Sequence, residues 1–272
     1  MLVDEIGERM KTYEAAETSR CLMPRLPACV RLDGKAFHTF TRDLQRPFDA
    51  AFHAAMVRTA EGLVQETGAR IGYTQSDEIT LILYSEEESH QPYMGGRVFK
   101  TASVLASLAT ALFSEAKAEI LPALRDRRAL FDCRVWNVPS KQEAVNVLVW
   151  RELDAAKNSV NSAAQFHFSH KSIQGLSGKQ LQEKLFAEKN VNWNDYPAAQ
   201  KRGTYLRRET LTGRFTAEEI DALPAGHNAR KNPLLEVARS RVVEACWPPL
   251  VRVANRVEVV FDGAQPREAA QT

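Results

Sequence analysis

The chain has 272 residues and a mass of 30.5 kDa, is 44% hydrophobic and 26% charged, and carries a net charge of +2 from 36 Lys plus Arg against 34 Asp plus Glu. That length allows one large domain or two small ones, the composition excludes a disordered chain, and the charge balance excludes coating nucleic acid by charge alone while leaving room for a local basic surface. No apolar run reaches the roughly 18 residues of a membrane helix, and charges stand where a signal peptide has its apolar core, so a soluble, cytoplasmic protein with no membrane partner is expected.

Residues 3–20 carry Ile6, Met10 and Tyr13 at helical intervals among charges and read as an opening amphipathic helix. A Pro-containing loop leads to a short strand, Cys29 to Leu32, which ends at the turn pair Asp33-Gly34. A short aromatic segment follows at 36–40. Pro47 to Thr67 reads as a helix with Phe48, Phe52, Met56, Ala60 and Leu63 on one face, Pro47 in its first turn and Gly68 as its stop. Residues 69–73 begin a strand that runs to the polar turn Gln75-Ser76-Asp77-Glu78. Ile79 to Tyr84 is the returning strand of that hairpin. An acidic, then glycine-rich loop covers 85–96. Residues 97–119 read as a helix through Val98, Ala102, Leu105, Leu108 and Phe113, Leu130 to Val135 as a strand, and Glu143 to Lys157 as a helix. From 158 onward the chain turns polar. It closes with Val-rich segments at 241–244 and 251–261 and an expected loose tail over the last ten residues.

Without the two outer helices the order is β-α-β-β-α-β, the ferredoxin-like unit, an α+β fold with helices on one face of the sheet. The expected division is a palm-like catalytic domain over 1–157, with the N-terminal helix, and a C-terminal α/β extension over 158–272. Cys21, Cys29, Cys133 and Cys246 have no zinc spacing and read as free thiols, and the six histidines form no metal motif.

The strongest constellation is Asp33 with Asp77 and Glu78. In this fold the first and third strands are neighbours, so carboxylates 44 residues apart converge. Converging carboxylates need a counter-ion, and Mg²⁺ suits hard oxygen ligands and exchanges its waters for phosphates; ordinary turn residues are the plainer explanation. Gly34 leaves room for a phosphate and Lys35 puts charge beside it. Arg97 and Lys100 share a helix face after Gly95-Gly96 and suit a triphosphate clamp, although a solvated basic face fits equally. His38 is a structural histidine or a nucleotide contact. Lys201 to Arg208, preceded by Trp193 and Tyr196, mixes the charge and aromatics that contact RNA. Arg125, Arg127 and Arg128 read as a solvated turn, with a minor part in RNA contact as the alternative.

Taken together, the motifs resemble the tRNA-His guanylyltransferase family over roughly residues 5–210. Val30 to His38 resembles its metal-binding segment and Gln75 to Glu78 its second metal motif. Arg46-Pro47-Phe48-Asp49 stands between them. Lys189 to Pro197, followed by Lys201-Arg202-Gly203-Thr204, resembles its C-terminal signature. The resemblance implies a polymerase-like palm that adds nucleotides in the 3′-to-5′ direction. It implies that Asp33, the Gly34 carbonyl and Asp77 hold two Mg²⁺ ions, with Glu78 as ligand or support. It places ATP, GTP or other NTPs on Gly34, Lys35, Ala36, Phe37, His38, Ser76, Arg97 and Lys100, and tRNA on Asn158, Lys189, Asn192, Lys201, Arg202 and Arg207. It also implies a homo-tetramer. Family members adenylylate a 5′-monophosphorylated tRNA with ATP, and the incoming nucleotide's 3′-hydroxyl then displaces AMP. Asp154-Ala155-Ala156-Lys157-Asn158-Ser159 departs from the eukaryotic Asp-Cys-His-Ile-Asn-Asn run and looks like the Thg1-like protein branch, which favours templated repair of 5′-truncated acceptor stems. The alternative is a true guanylyltransferase adding one G to histidine tRNA. A nucleotide cyclase and a non-catalytic RNA binder fit less well: the first has no use for Lys201 to Arg208, the second none for the gathered acids.

Overall fold

The structure is a computed structural model that describes residues 2–87 and 91–269. After a helix α1 (Leu2–Thr18), the chain enters strand β1 (Ala28–Gly34). Alternation decides which way its side chains go. Val30 and Leu32 enter one apolar layer, and Cys29 enters another. Helices α2 (Phe37–Phe40) and α3 (Ala50–Thr67) lead to the hairpin β2 (Ile71–Gln75) and β3 (Glu78–Leu83); α4 (Val98–Ile120) and β4 (Phe131–Asn137) follow. The expected β-α-β-β-α-β order is present, with strands in the order β4-β1-β3-β2. All neighbouring strands are antiparallel, and Leu32 lies opposite Ile79, Asp33 opposite Glu78.

The Asp33-Gly34 pair expected to turn the chain is the end of β1 itself, and two boundaries differ by more than two residues from the sequence reading. Pro47 is not in the first turn of α3. The helix begins at Ala50 because the Asp49 carboxylate caps it, accepting from the Phe52 amide at 2.8 Å and from the Gln45 amide at 3.0 Å. At its other end Gly68 is the cap, at φ 66°. The second difference is α5, which spans Lys141–His167 and runs through the expected boundary at 157.

Helices cover both faces of the sheet, not one. On the first face Met56 and Leu63 of α3 and Leu105 and Phe113 of α4 pack on Val30, Leu32, Ile79 and Leu81. On the second face Cys29, Ile71, Tyr73 and Ile82 are apolar or aromatic and need cover, which Ala144, Val145, Leu148 and Ala155 of α5 supply. Past residue 157, α5 turns its small residues Val160, Ala163 and Ala164 onto Leu181 and Leu185 of α7 (Gly178–Lys189), with α6 (His170–Ile173) between. Then α8 (Ala198–Arg202) leads into β5 (Thr204–Arg214), which pairs with β2 through Tyr73 opposite Tyr205. Helices α9 (Ala217–Ala222) and α10 (Asn228–Lys231) precede β6 (Glu236–Ala245), the edge strand. The sheet thus continues into the C-terminal half as six strands.

The Val-rich 251–261 segment is a short turn and helix α11 (Arg256–Phe261), packed on the α5 layer. The tail is pinned through Ala269: the Ala254 amide donates to the Arg267 carbonyl at 2.8 Å, and the Ala269 amide to the Arg252 carbonyl at 2.7 Å. The rest of the expected loose tail, 270–272, and residues 88–90 of the acidic loop lie outside the described residues.

Candidate active site

The end of β1 meets the β2–β3 turn because β1 and β3 are neighbours. The Gly34 amide donates to the Asp77 carbonyl at 3.1 Å, and Asp33 faces Glu78 across the ladder. Ser76 sits at φ 51° in the turn, and its hydroxyl donates to Asp77 Oδ1 at 3.0 Å. Burial, above all, pushes the Asp77 carboxyl up to about 6, and the charges of Asp33 and Glu78 push the same way against that hydrogen bond. Asp33 and Asp77 therefore feel each other, as the strand order requires. Glu78 is committed elsewhere. It pairs with Arg151 of α5, a guanidinium only 5% exposed, which also holds Asp154 at 3.0 Å.

Gly34 lines a small cavity with its backbone, and the place of its missing Cβ is taken by a neighbouring side chain. A Cβ there would overlap the ring of Phe37. That ring is buried against Phe40, Phe52, Phe113 and Phe131, with centroids 4.8–6.1 Å away. Phe37 thus offers the site its backbone and not its side chain. Ala36, at φ 56°, starts α2, and among the described residues the amides of Ala36, Phe37 and His38 have no backbone acceptor. They border a cavity of about 300 Å³ closed on the other side by Ser76, Asp77, Thr41 and Arg46. Next to it, Lys35, Arg42, Arg127 and Arg128 surround an open basin of about 530 Å³. Arg127 is paired with Asp43. His38 is exposed at the cavity; His53 is half-buried, bonded to the Thr204 hydroxyl at 2.9 Å and made less basic by burial.

Arg97 and Lys100 are not brought to this site within one copy of the chain. β3 leads away from the Asp77 turn, and α4 begins beyond its far end, so both side chains are exposed at the opposite end of a helix roughly 30 Å long. The C-terminal signature also takes a different part from free RNA contact. Lys201 is buried, donates to the Asn194 carbonyl at 2.5 Å and lies 5.3 Å from the Trp193 ring centroid. The Trp193 indole N–H donates to the Ser159 hydroxyl at 3.1 Å, which lies 3.2 Å from the Lys201 carbonyl. Asn192 caps the Trp193 turn, accepting from the Asn194 amide at 3.1 Å. Arg202 stands 4.0 Å from the buried Glu152, and Arg207 pairs with Glu209 at 3.0 Å. Asn158 and Lys189 are exposed; Asn158 donates to Asp154 at 3.2 Å.

Four residues escaped the sequence reading as site residues. Arg46 and Thr41 line the cavity, and Arg46 had a signal, since it opens a quoted motif. Arg151 had a weaker one, its spacing of three from Asp154 on one helix. Buried Glu152, accepting from the Leu250 amide at 2.8 Å and pushed up to about 7 by burial, left no trace in the pattern.

Among the described residues no three His, Cys, Asp or Glu side chains form a metal-holding group. Two facing carboxylates are nevertheless what Mg²⁺ takes from a protein, its other positions going to water and substrate phosphates. Asp33 and Asp77, with like charges set close and one of them hard to ionise unaided, fit that ion.

Comparison with known proteins gives concordant matches. The family described as "Thg1: tRNAHis guanylyltransferase" matches residues 7–139. A bacterial tRNA(His) guanylyltransferase (Thg1)-like protein solved with ATP is 43% identical, with a TM-score of 0.71, over 74% of this chain and 88% of that one. Another, solved with GTP, is 33% identical, with a TM-score of 0.70, over 91% and 94%. The tRNA(His) guanylyltransferase of Saccharomyces cerevisiae is 26% identical over 71% of this chain and 87% of that protein.

Proposed function

The chain belongs to the tRNAHis guanylyltransferase family, and from that premise we propose that it extends the 5′ ends of tRNA in the 3′-to-5′ direction, copying the opposite strand. The observation that carries the reading is the Asp33–Asp77 pair beside a cavity lined by unpaired backbone amides. Anionic phosphates suit such amides, and buried like charges suit Mg²⁺. Bound by Asp33 and Asp77, the ion would supply positive charge to the reacting phosphates.

The chemistry has two transfers. The RNA 5′-phosphate attacks the α-phosphorus of ATP; a phosphoanhydride forms and pyrophosphate leaves. The 3′-hydroxyl of the incoming NTP then attacks the RNA-side phosphorus of that anhydride; a phosphodiester forms and AMP leaves. In this reading the Ala36 to His38 backbone holds nucleotide phosphates. Arg46, Lys35 and Arg42, which do surround the cavity and basin, take the charge of the triphosphate in place of Arg97 and Lys100. The Arg151–Glu78 pair keeps Glu78 turned toward α5 and leaves the Asp77 turn to the ion.

Copying is favoured over a fixed addition of G by Ala156. It offers neither a hydrogen bond nor a stacking face, and Ser159 is occupied with Trp193 and Lys201. Selection then falls to base pairing with the opposite strand. The test is a set of 5′-monophosphorylated tRNAs shortened by one nucleotide, varied in the opposing base and the anticodon, and incubated with ATP, Mg²⁺ and each NTP. The added nucleotide should complement the opposing base whatever the anticodon. Addition of G alone, restricted to histidine tRNA, would contradict copying.

A further inference from the structure

A second cluster of aromatic and cationic side chains stands beside the carboxylates, and the chain itself leaves it incomplete. Arg31 precedes Asp33 by two residues on β1, so both side chains leave the same face of the strand roughly 7 Å apart. That face is the one α5 covers. The Arg31 guanidinium lies 5.5 Å from the ring centroid of Trp150 on α5, and that of Arg151 lies 4.7 Å from the same ring. Despite these two neighbours, Trp150 remains 50% exposed. The two arginines differ in their partners. Arg151 is held by Glu78 and Asp154. Among the described residues no carboxylate pairs with Arg31, and its Nε is buried without an acceptor. Its cross-strand neighbour Arg134, on the edge strand β4, adds a further cation, already paired with Asp132 at 3.4 Å.

An open indole flanked by a guanidinium without an anion is what an unpaired nucleotide needs. Every base has a π-face that stacks on an aromatic ring, and the phosphate takes the cation. The position adds to the argument. A strand arriving at Asp33 and Asp77 brings phosphates toward acids, and Arg31 offsets them, since Arg134 and Arg151 on that face are already paired with carboxylates. A protein partner is a poorer match, since Leu153 is the other large exposed apolar side chain of this helix turn and two such residues make no broad apolar patch. We propose that Arg31 and Trp150 seat one unpaired nucleotide at the end of the RNA substrate, its base on the indole and its phosphate on the guanidinium. The proposal rests on the reading of the chain as an enzyme of RNA 5′ ends.

The experiment uses the full chain and a fluorescently labelled, 5′-monophosphorylated tRNA shortened by one nucleotide. Binding is read by anisotropy over a salt series, and transfer by steady-state kinetics. Trp150→Ala should weaken RNA binding roughly ten-fold and raise the KM for RNA alike. The KM for ATP should stay within about two-fold, and Trp150→Tyr should restore binding. Arg31→Gln should weaken RNA binding and flatten the dependence of log affinity on log salt by about 0.7, one single-strand phosphate contact. Melting curves of each variant show whether it folds; Trp150→Phe, which keeps a ring, replaces Trp150→Ala should that variant unfold, and is then expected to bind within about two-fold of the parent while its indole fluorescence is quenched less on RNA addition than the parent's. Unchanged RNA affinity in folded Trp150→Ala and an unchanged salt slope in Arg31→Gln overturn the proposal, as does a loss of self-association in place of a loss of RNA binding. A Trp150→Phe protein quenched by RNA as much as the parent overturns it too. A parent protein that binds RNA through Trp150 but transfers nothing to its 5′ end contradicts the enzymatic reading, not this seat.

Discussion

Replacing Asp77 by Asn should make the metal-free protein more stable at pH 8. Burial and the charges of Asp33 and Glu78 raise the Asp77 carboxyl from 3.8 to about 6. A group raised in the folded state contributes stability below its unfolded value, and that contribution is lost as pH rises through the folded value. At pH 8, then, the folded protein carries the full cost of ionising Asp77, roughly 3 kcal/mol at most from the distance between the two values. Asparagine never ionises, its side-chain oxygen still accepts from Ser76, and the Gly34 bond goes to the backbone of residue 77 and is untouched. Allowing for water in a partly open site, Asp77→Asn should gain about 1–3 kcal/mol at pH 8, a melting temperature higher by roughly 2–5 °C. At pH 4.5, still above the unfolded value, the gain should fall to about a third of that at pH 8. Thermal melts in EDTA at both pH values measure it. The same melts with Mg²⁺ at pH 8 should show the parent rising and the variant unmoved, with the parent's response weakening below about pH 6. A variant that melts at or below the parent at pH 8, or that gains equally at both pH values, would refute the reasoning.

Glu152, pushed up to about 7 from 4.5, follows the same sign: its contribution is present below pH 4.5 and lost through about pH 7, so Glu152→Gln should flatten the fall in melting temperature between pH 5 and 8, and an unaltered slope would count against it. Gly34→Ala must push the Phe37 ring into the aromatic cluster and should cost about 1–3 kcal/mol in urea unfolding, partly recovered in Gly34→Ala with Phe37→Leu. Trp193→Phe and Ser159→Ala should each cost about 1 kcal/mol, and the double variant little more than one of them, because both remove the single bond between α5 and the Trp193 turn; full additivity would show the bond to be idle.

The carboxylate pair was legible because its signals are local. Asp33-Gly34 ends an apolar strand and Ser76-Asp77 turns a hairpin, and strand order alone then makes them neighbours. The distance of Arg97 and Lys100 from the carboxylates within one copy of the chain was not legible from charge and spacing. They share a helix face, but β3 leaves the Asp77 turn and carries the start of α4 to the far end of the sheet. The length of α5 was hidden by small residues. Ala155, Ser159, Ala163 and Ala164 are buried while Lys157, Asn158 and Ser162 are exposed, so the inward face carries little hydrophobic signal. Lys201 looked like part of a basic surface run. Only the folded chain brings the Asn194 carbonyl and the Trp193 ring to its ammonium group. Gly34 was legible as a required glycine, but that the ring of Phe37 fills the place of its Cβ, while its backbone lines the cavity, follows only from the folded chain.

The direction of synthesis is the central claim, and the fate of the γ-phosphate tests it most directly. Shortened 5′-monophosphorylated tRNA is incubated with unlabelled ATP, Mg²⁺ and an NTP complementary to the opposing base, labelled only at its γ-phosphate, and the RNA is resolved on a gel. In the proposed chemistry the incoming nucleotide attacks through its 3′-hydroxyl and keeps its triphosphate at the new 5′ end, so the RNA becomes labelled, and Asp77→Asn abolishes the labelling. RNA that lengthens without acquiring label at any time, including the earliest, with all label released as pyrophosphate, would contradict the account.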